Sequence, residues 1–103
     1  EGAIVMGVGM ALLEQTHYDD RSGAPVNSNL ADYIMATHAD APRMDVSFLD
    51  YPDYAWNGVG ARGIGEIGLA GIAAAIANAV HHATGVRVRQ LPVRIEDLLP
   101  AAG

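Results

Sequence analysis

The 103-residue chain has no cysteine, which excludes disulfides and thiolate metal sites and leaves the redox compartment open. Charged residues make up only 17%, and the formal net charge is −6, so positive charge is the scarcer sign. That balance argues against non-specific binding to nucleic acid or to an anionic membrane surface. Uninterrupted apolar runs fall short of the roughly 18 residues a spanning helix needs. No signal-peptide pattern is visible. The chain opens on Glu1 with an apolar pattern and no leader or cap, and closes on Leu98-Leu99-Pro100-Ala101-Ala102-Gly103, the composition of a fraying C-terminus. Residues 1–103 read as one unit, the tail of something longer. Half the residues are hydrophobic, which argues against disorder.

What the chain does have is glycine, concentrated in one place. Gly58–Gly71 holds six of the twelve glycines in fourteen residues, with one carboxylate, Glu66, in the middle. Glycine carries an entropic cost that demands a structural return, so such a stretch predicts a loop that meets something closely. Leu69, Ile72, Ile76, Ala79, Val80 and Ala83 follow at spacings of three or four, which predicts a helix from about Ile67 to Ala83. Thr84-Gly85 supplies its stop, with Gly85 as the residue beyond the cap.

A first helix is expected over Gly2–Gln15 from Ile4, Val5, Val8, Leu12 and Leu13. Gly2, Gly7 and Gly9 weaken it by about 1 kcal/mol each relative to alanine, so it should pack closely against another backbone or a ligand. Thr16–Asp19 reads as a short strand, Asp20–Pro25 as a turn, and Val26 as the return. Asn27-Ser28-Asn29 offers hydrogen bonds to backbone or a partner, and Ala31–Met35 fits either a short strand or a helical turn. Met44, Val46 and Phe48 alternate with polar residues as in a half-buried strand. Asp50–Asn57 is an aromatic, proline-bearing loop. Val86 and Val88 alternate with Arg87 and Arg89 as a strand with one basic face, and Ile95–Leu99 suggests a short helix. The element order favours an α+β fold with two main helices and short strands.

Gly63-x-Gly65-x-x-Gly68 formally matches the dinucleotide fingerprint. That motif needs a strand before it and an acid about 20 residues beyond. Here the lead-in is Trp56-Asn57-Gly58-Val59-Gly60, the distant position is Val88, and Glu66 would oppose a pyrophosphate. A P-loop fails on the same acid. Two roles stay open for Glu66. Flanked by Ile64, Ile67 and Leu69, it could be desolvated toward the pKa of a general base; equally, it could be an acid complementing the first turn of the helix.

Metal ligation is weakly supported, since His81 and His82 point about 100° apart on a helix and His17 and His38 lack spaced companions. Surface or satisfied-core positions suit all four histidines. Ser22, Ser28 and Ser47 have no nucleophile-elbow context. Arg62, Arg87 and Arg89 read as solvated or ion-paired.

The segment Gly60-Ala61-Arg62-Gly63-Ile64-Gly65-Glu66-Ile67-Gly68, with Ala73–Val80 and Ala83–Arg87 after it, closely resembles the C-terminal end of the molybdenum-binding large subunit of the xanthine dehydrogenase/aldehyde oxidase family. Glu1–Leu12 and Asn29–Tyr33 match further family stretches, so the resemblance covers nearly the whole chain. It implies that Glu66 is the general base beside the molybdenum. Gly63, Gly65, Met6 and Gly7 fall at cofactor-facing positions, and none is implied to ligate the metal. Many members carry Gln at the position of Met6, whose thioether cannot make the same hydrogen bond.

The implied activity is oxidation of an aldehyde, or hydroxylation of an N-heterocycle such as a purine, with water as oxygen source. Ile67-Gly68 leans toward bacterial aldehyde-oxidising subunits. The implied cofactor is molybdopterin in its cytosine dinucleotide form, with iron–sulfur clusters and FAD on partner domains or subunits. The fragment alone should be inactive without the rest of the molybdenum-binding subunit. Cytoplasm and periplasm both remain open. The competing reading is a non-catalytic α+β interaction module, with a dinucleotide-binding segment behind it.

Overall fold

A computed structural model describes residues 1–99 of the chain. Two α-helices dominate it: α1, Gly2–Leu12, and α2, Ile72–Thr84, with 3-10 turns at His38–Asp40, Ile67–Leu69 and Ile95–Leu98. The helices pack on each other, and the Ile67–Leu69 turn sits against α1 as well.

Gly7 of α1 makes this packing possible. Gly7, Gly9 and Ala11 are the buried residues of the helix. A Cβ added to Gly7 would lie 2.5 Å from the Cβ of Ile72 and 2.7 Å from its Cγ2, so only a hydrogen fits between α1 and the start of α2. The helix ends earlier than its periodicity suggests. Leu13 and Glu14 both donate their N–H to the Gly9 carbonyl at 2.9 Å, and the chain then leaves the helical path.

At its far end α2 behaves as expected, with Gly85 left-handed at φ 76° and its N–H donated to the His81 carbonyl at 2.8 Å. Its start differs from expectation. The helix does not run back to Ile67; a single 3-10 turn and Ala70-Gly71 intervene before Ile72. By length and composition alone, Ile67–Thr84 would suffice to cross a membrane, but the 3-10 turn and Ala70-Gly71 divide it from the 13-residue α2. Here one side of it is used on α1.

The α+β expectation holds for the two helices only. Among the described residues there is no strand ladder, just an isolated antiparallel bridge between Tyr18 and Pro25. Around it a small hairpin forms: Val26 donates to the His17 carbonyl at 2.8 Å, and Asp19 donates to the Ala24 carbonyl at 2.9 Å. Met44–Phe48 and Val86–Arg89 form no strand among the described residues. Alternation marks a segment suited to a pleated surface, and a strand forms only where a second backbone lies alongside. Ala31-Asp32 resolves to a turn, closed by the Tyr33 N–H donating to the Asn29 carbonyl at 2.8 Å. The fraying-terminus expectation for residues 100–103 lies outside the described residues.

The interior is thin. Ala11 and Val93 are the buried hydrophobic core, and no large side chain is fully buried among the described residues. The radius of gyration is 18.2 Å, where a compact domain of this length has about 13 Å. Polar ties substitute for a core around the tail of α1. Val93 donates its N–H to the Ala11 carbonyl at 2.8 Å. The buried Asn27 accepts from the His17 N–H at 2.9 Å and donates to the Gln15 carbonyl at 2.7 Å, the backbone role open to it from sequence. Tyr33 donates its hydroxyl to Glu14 at 3.0 Å. His81 departs from its expectation, since its buried Nδ1 has no hydrogen-bond partner among the described residues.

Candidate functional site

The approach to Glu66 begins with a loop that closes on itself. Asp53 donates its N–H to the Gly60 carbonyl at 2.9 Å, and Trp56 donates to the Asp53 carbonyl at 3.0 Å. Asn57 works from the inside: its Oδ1 accepts from Val59 (3.0 Å) and Gly60 (2.8 Å), while its Nδ2 donates to the Ala61 carbonyl at 2.7 Å. Gly60 sits at φ 73°, and a Cβ there would lie 2.7 Å from the Cβ of Pro52. Glycine is therefore required twice, for conformation and for space. Arg62 closes the loop mouth. Its Nε donates to Asp53 Oδ2 at 3.0 Å, a second guanidinium N–H reaches the same oxygen, and the guanidinium carbon lies 5.0 Å from the centre of the Trp56 ring. The ion-paired reading of Arg62 thus holds, and the cation–π contact adds to it.

Beyond Arg62 the chain opens out. Nothing lies within 4 Å of a Cβ built on Gly63 or Gly65. Glu66 is exposed, and its carboxylate makes no hydrogen bond or ion pair among the described residues. Its backbone is anchored on the far side, where its carbonyl accepts from the Leu69 N–H at 3.0 Å. A Cβ on Gly68 would stand 3.4 Å from that of Ala3, so the 3-10 turn is seated on the first turn of α1.

Of the two sequence-based accounts of Glu66, the helix-complementing one does not match this geometry. It is not a first-turn acid of α2, because Ala70-Gly71 separates the 3-10 turn from that helix. Of the apolar neighbours that flank it in sequence, Ile64 and Ile67 are exposed and Leu69 is half-buried. What remains is an unpartnered carboxylate on a short span between two anchored points.

Of the other candidate positions, Met6 is exposed on α1, whereas Gly7 lies under α2 against Ile72. Helix packing accounts for Gly7 without a ligand. A cavity of about 290 Å³ joins the two sequence regions, with Ala3 and Ile4 on one side and Ile64, Gly65 and Gly68 on the other. A groove of about 770 Å³ lies between Phe48–Asp53 and Gly60–Ile64 and does not include Glu66. Among the described residues, no three His, Asp or Glu side chains gather as a metal site. A group that brings its own metal ligands would instead need open backbone and few side chains, and the Gly63–Gly65 span has that character. Asp53 and Asn57, which organise the loop, were not singled out from sequence. Asn57-Gly58 carries a turn signal, but Asp53 has no local pattern that pairs it with Arg62.

The chain matches the molybdopterin cofactor-binding domain family over residues 1–42. It is 49% identical over 98 residues to the aldehyde oxidoreductase molybdenum-binding subunit PaoC of Escherichia coli (strain K12), covering 95% of this chain and 13% of that protein. It is 40% identical over 94 residues to the putative xanthine dehydrogenase molybdenum-binding subunit XdhA of the same organism, covering 89% of this chain and 12% of that protein. The crystal structure of quinoline 2-oxidoreductase from Pseudomonas putida 86 superposes with a TM-score of 0.73 at 29% identity, over 93% of this chain and 12% of that one. The chain therefore spans about an eighth of the length of the proteins it matches. With the helix pair, the glycine segment and the sequence relatives in agreement along nearly its whole length, the chain belongs to the molybdenum-binding large-subunit family of xanthine dehydrogenases and aldehyde oxidoreductases.

Proposed function

We propose that this chain supplies the general base of a molybdenum hydroxylase, with Glu66 as that base. The observation that carries the reading is the state of Glu66: an exposed carboxylate without a partner, between flanking glycines that meet nothing and a turn seated on α1. Glycines without a tenant of their own chain are costly unless something else fills the space. Gly63 and Gly65 would let a bulky organic cofactor come close to the backbone, and Met6 would offer it an apolar thioether from α1. Gly7 would contribute only backbone, because its open side is taken by Ile72.

When bound, the molybdenum cofactor, here in its cytosine dinucleotide form, supplies the oxygen-transfer and electron-accepting chemistry, with water as the oxygen source. Glu66 would take up the proton released as substrate is attacked. Closure of the remaining subunit over the site would exclude bulk water from around the carboxylate. The substrate class is an aldehyde, as in the bacterial relative of highest identity quoted above, with an N-heterocycle second. Electrons would leave through iron–sulfur clusters and FAD on partner domains or subunits. The exposed apolar surface, including Leu49 and Tyr51 at about nine-tenths exposure, is suited to burial by the rest of the large subunit, so the isolated chain is expected to be inactive.

The test replaces Glu66 by Gln in the complete subunit, keeping size while removing basicity. Turnover should fall by roughly 10²–10⁴-fold, with molybdenum and pterin contents unchanged. Near-normal turnover would favour a non-catalytic interaction module instead.

A further inference from the structure

Glu66 occupies a span whose two ends are held very differently. Downstream, the 3-10 turn rests on the body of α1 through Gly68 and Ala3. Upstream, Gly63 and Gly65 give no side-chain restraint, and the nearest anchored side chain is that of Arg62, four positions before the carboxylate. That side chain is fixed three ways. It donates twice to Asp53 Oδ2, lies over the Trp56 ring, and grips a loop already stapled by Asn57 and by the Asp53–Gly60 backbone bond.

We infer that Arg62, latched to Asp53 and laid over Trp56, is a positioning residue for Glu66. The inference rests on the base assignment given above. An exposed ion pair contributes little to stability by itself, and Arg62 is 58% exposed. Its value here is geometric. Two glycines give the segment wide conformational freedom, and a base displaced by about 1 Å can lose on the order of 10²-fold in rate. Fixing Arg62 shortens the free span to Gly63-Ile64-Gly65, which the Ile67 N–H donated to the Ile64 carbonyl at 3.2 Å restrains further. The planar guanidinium can pair and stack at once, whereas a lysine ammonium could pair but not stack in the same way.

The complete subunit, in its native assembly, tests this with Arg62→Ala, Asp53→Asn, Arg62→Lys and Glu66→Gln, alone and combined. Arg62→Ala and Asp53→Asn should each lower kcat by about tenfold or more, with KM within about twofold and molybdenum content unchanged. Arg62→Lys should recover part of the loss. Amide hydrogen exchange across Gly63–Glu66 should quicken by at least about tenfold in Arg62→Ala. In the Glu66→Gln background, adding Arg62→Ala should cost less than about twofold, because the latch would have no base left to position.

Unchanged exchange across Gly63–Glu66 would overturn the proposal. So would the full cost of Arg62→Ala persisting in the Glu66→Gln background, or loss of molybdenum from Arg62→Ala. Failure of the base assignment shows separately, as near-normal turnover in Glu66→Gln alone, while the exchange measurement still reports whether the latch orders the span.

Discussion

The α1–α2 contact and the Asp53–Glu66 loop are both built on glycine, and they use it in opposite ways. Between the helices, the open side of Gly7 is filled by Ile72 of the same chain, at a distance that excludes any larger residue. In the loop, Gly60 serves its own turn, but Gly63 and Gly65 face empty space. One region spends its glycines on internal packing; the other keeps two of them for an occupant from outside. The contrast identifies which glycines answer to stability and which answer to function, and substitution can separate the two.

The largest effect should come from Gly7→Val in the complete subunit. Its Cβ would fall 2.5 Å from that of Ile72, and relief requires moving one helix against the other. Overpacking of this kind costs typically about 1–3 kcal/mol, and β-branching adds a small helix penalty. Thermal unfolding should register it clearly. A Gly7→Val protein as stable as the parent would mean that the helices are not held in this close contact.

Next comes the loop pair Gly60→Ala and Gly65→Ala. At Gly60 the left-handed conformation alone costs an alanine roughly 1–2 kcal/mol, and the Pro52 contact adds to that. At Gly65 the new methyl group meets nothing, so the stability change should stay within about 0.5 kcal/mol. Molybdenum content should reverse the order of sensitivity, falling in Gly65→Ala if that face receives the cofactor. If Gly65→Ala alters neither stability nor loading, the distinction between the two kinds of glycine collapses.

How far sequence reached follows the same division. Both helices were legible because their apolar spacing and the Gly85 stop are local signals, and Gly7 already demanded close packing. The start of α2 was misjudged because Ile67 and Leu69 keep helical spacing through a 3-10 turn, which periodicity does not distinguish from α-helix over so few residues. Met44–Phe48 and Val86–Arg89 have strand-like alternation, yet pairing depends on a second backbone that lies outside the pattern itself. Glu66 stood out as the one acid among glycines, although its role remained divided between base and helix partner. The latch was invisible: Asp53 and Arg62 meet only because Gly60 turns left-handed and Asn57 staples the loop.

The smallest effect concerns the surface turns, and it tests whether the helix contact is as insensitive to acid as its apolar character requires. Asp40 accepts from the Thr37 N–H and hydroxyl, both at 2.8 Å, and those bonds, the backbone one foremost, hold its carboxyl below the ordinary value of 3.8. Asp19 is lowered likewise by the N–H groups of Ser22 and Arg21. A lowered carboxyl contributes stability that is present above the unfolded value and lost as pH falls through the folded one. The turns at Asp19–Ser22 and Thr37–Asp40 should therefore loosen only below about pH 4. Tyr33 has the opposite sign: its hydrogen bond to Glu14 raises the phenol above 10.0, so that tie is complete at lower pH and is lost as pH rises through the raised value. Between those limits none of the three groups changes charge. Carboxyl-carbon NMR of aspartate-labelled protein should place the Asp40 midpoint below 3.8, while the amides of α1 facing Ile72 keep their shifts through the same titration. Helix amides that titrate together with Asp40 would show that the turn and the helix pair form one cooperative unit, rather than an apolar contact with separately capped turns.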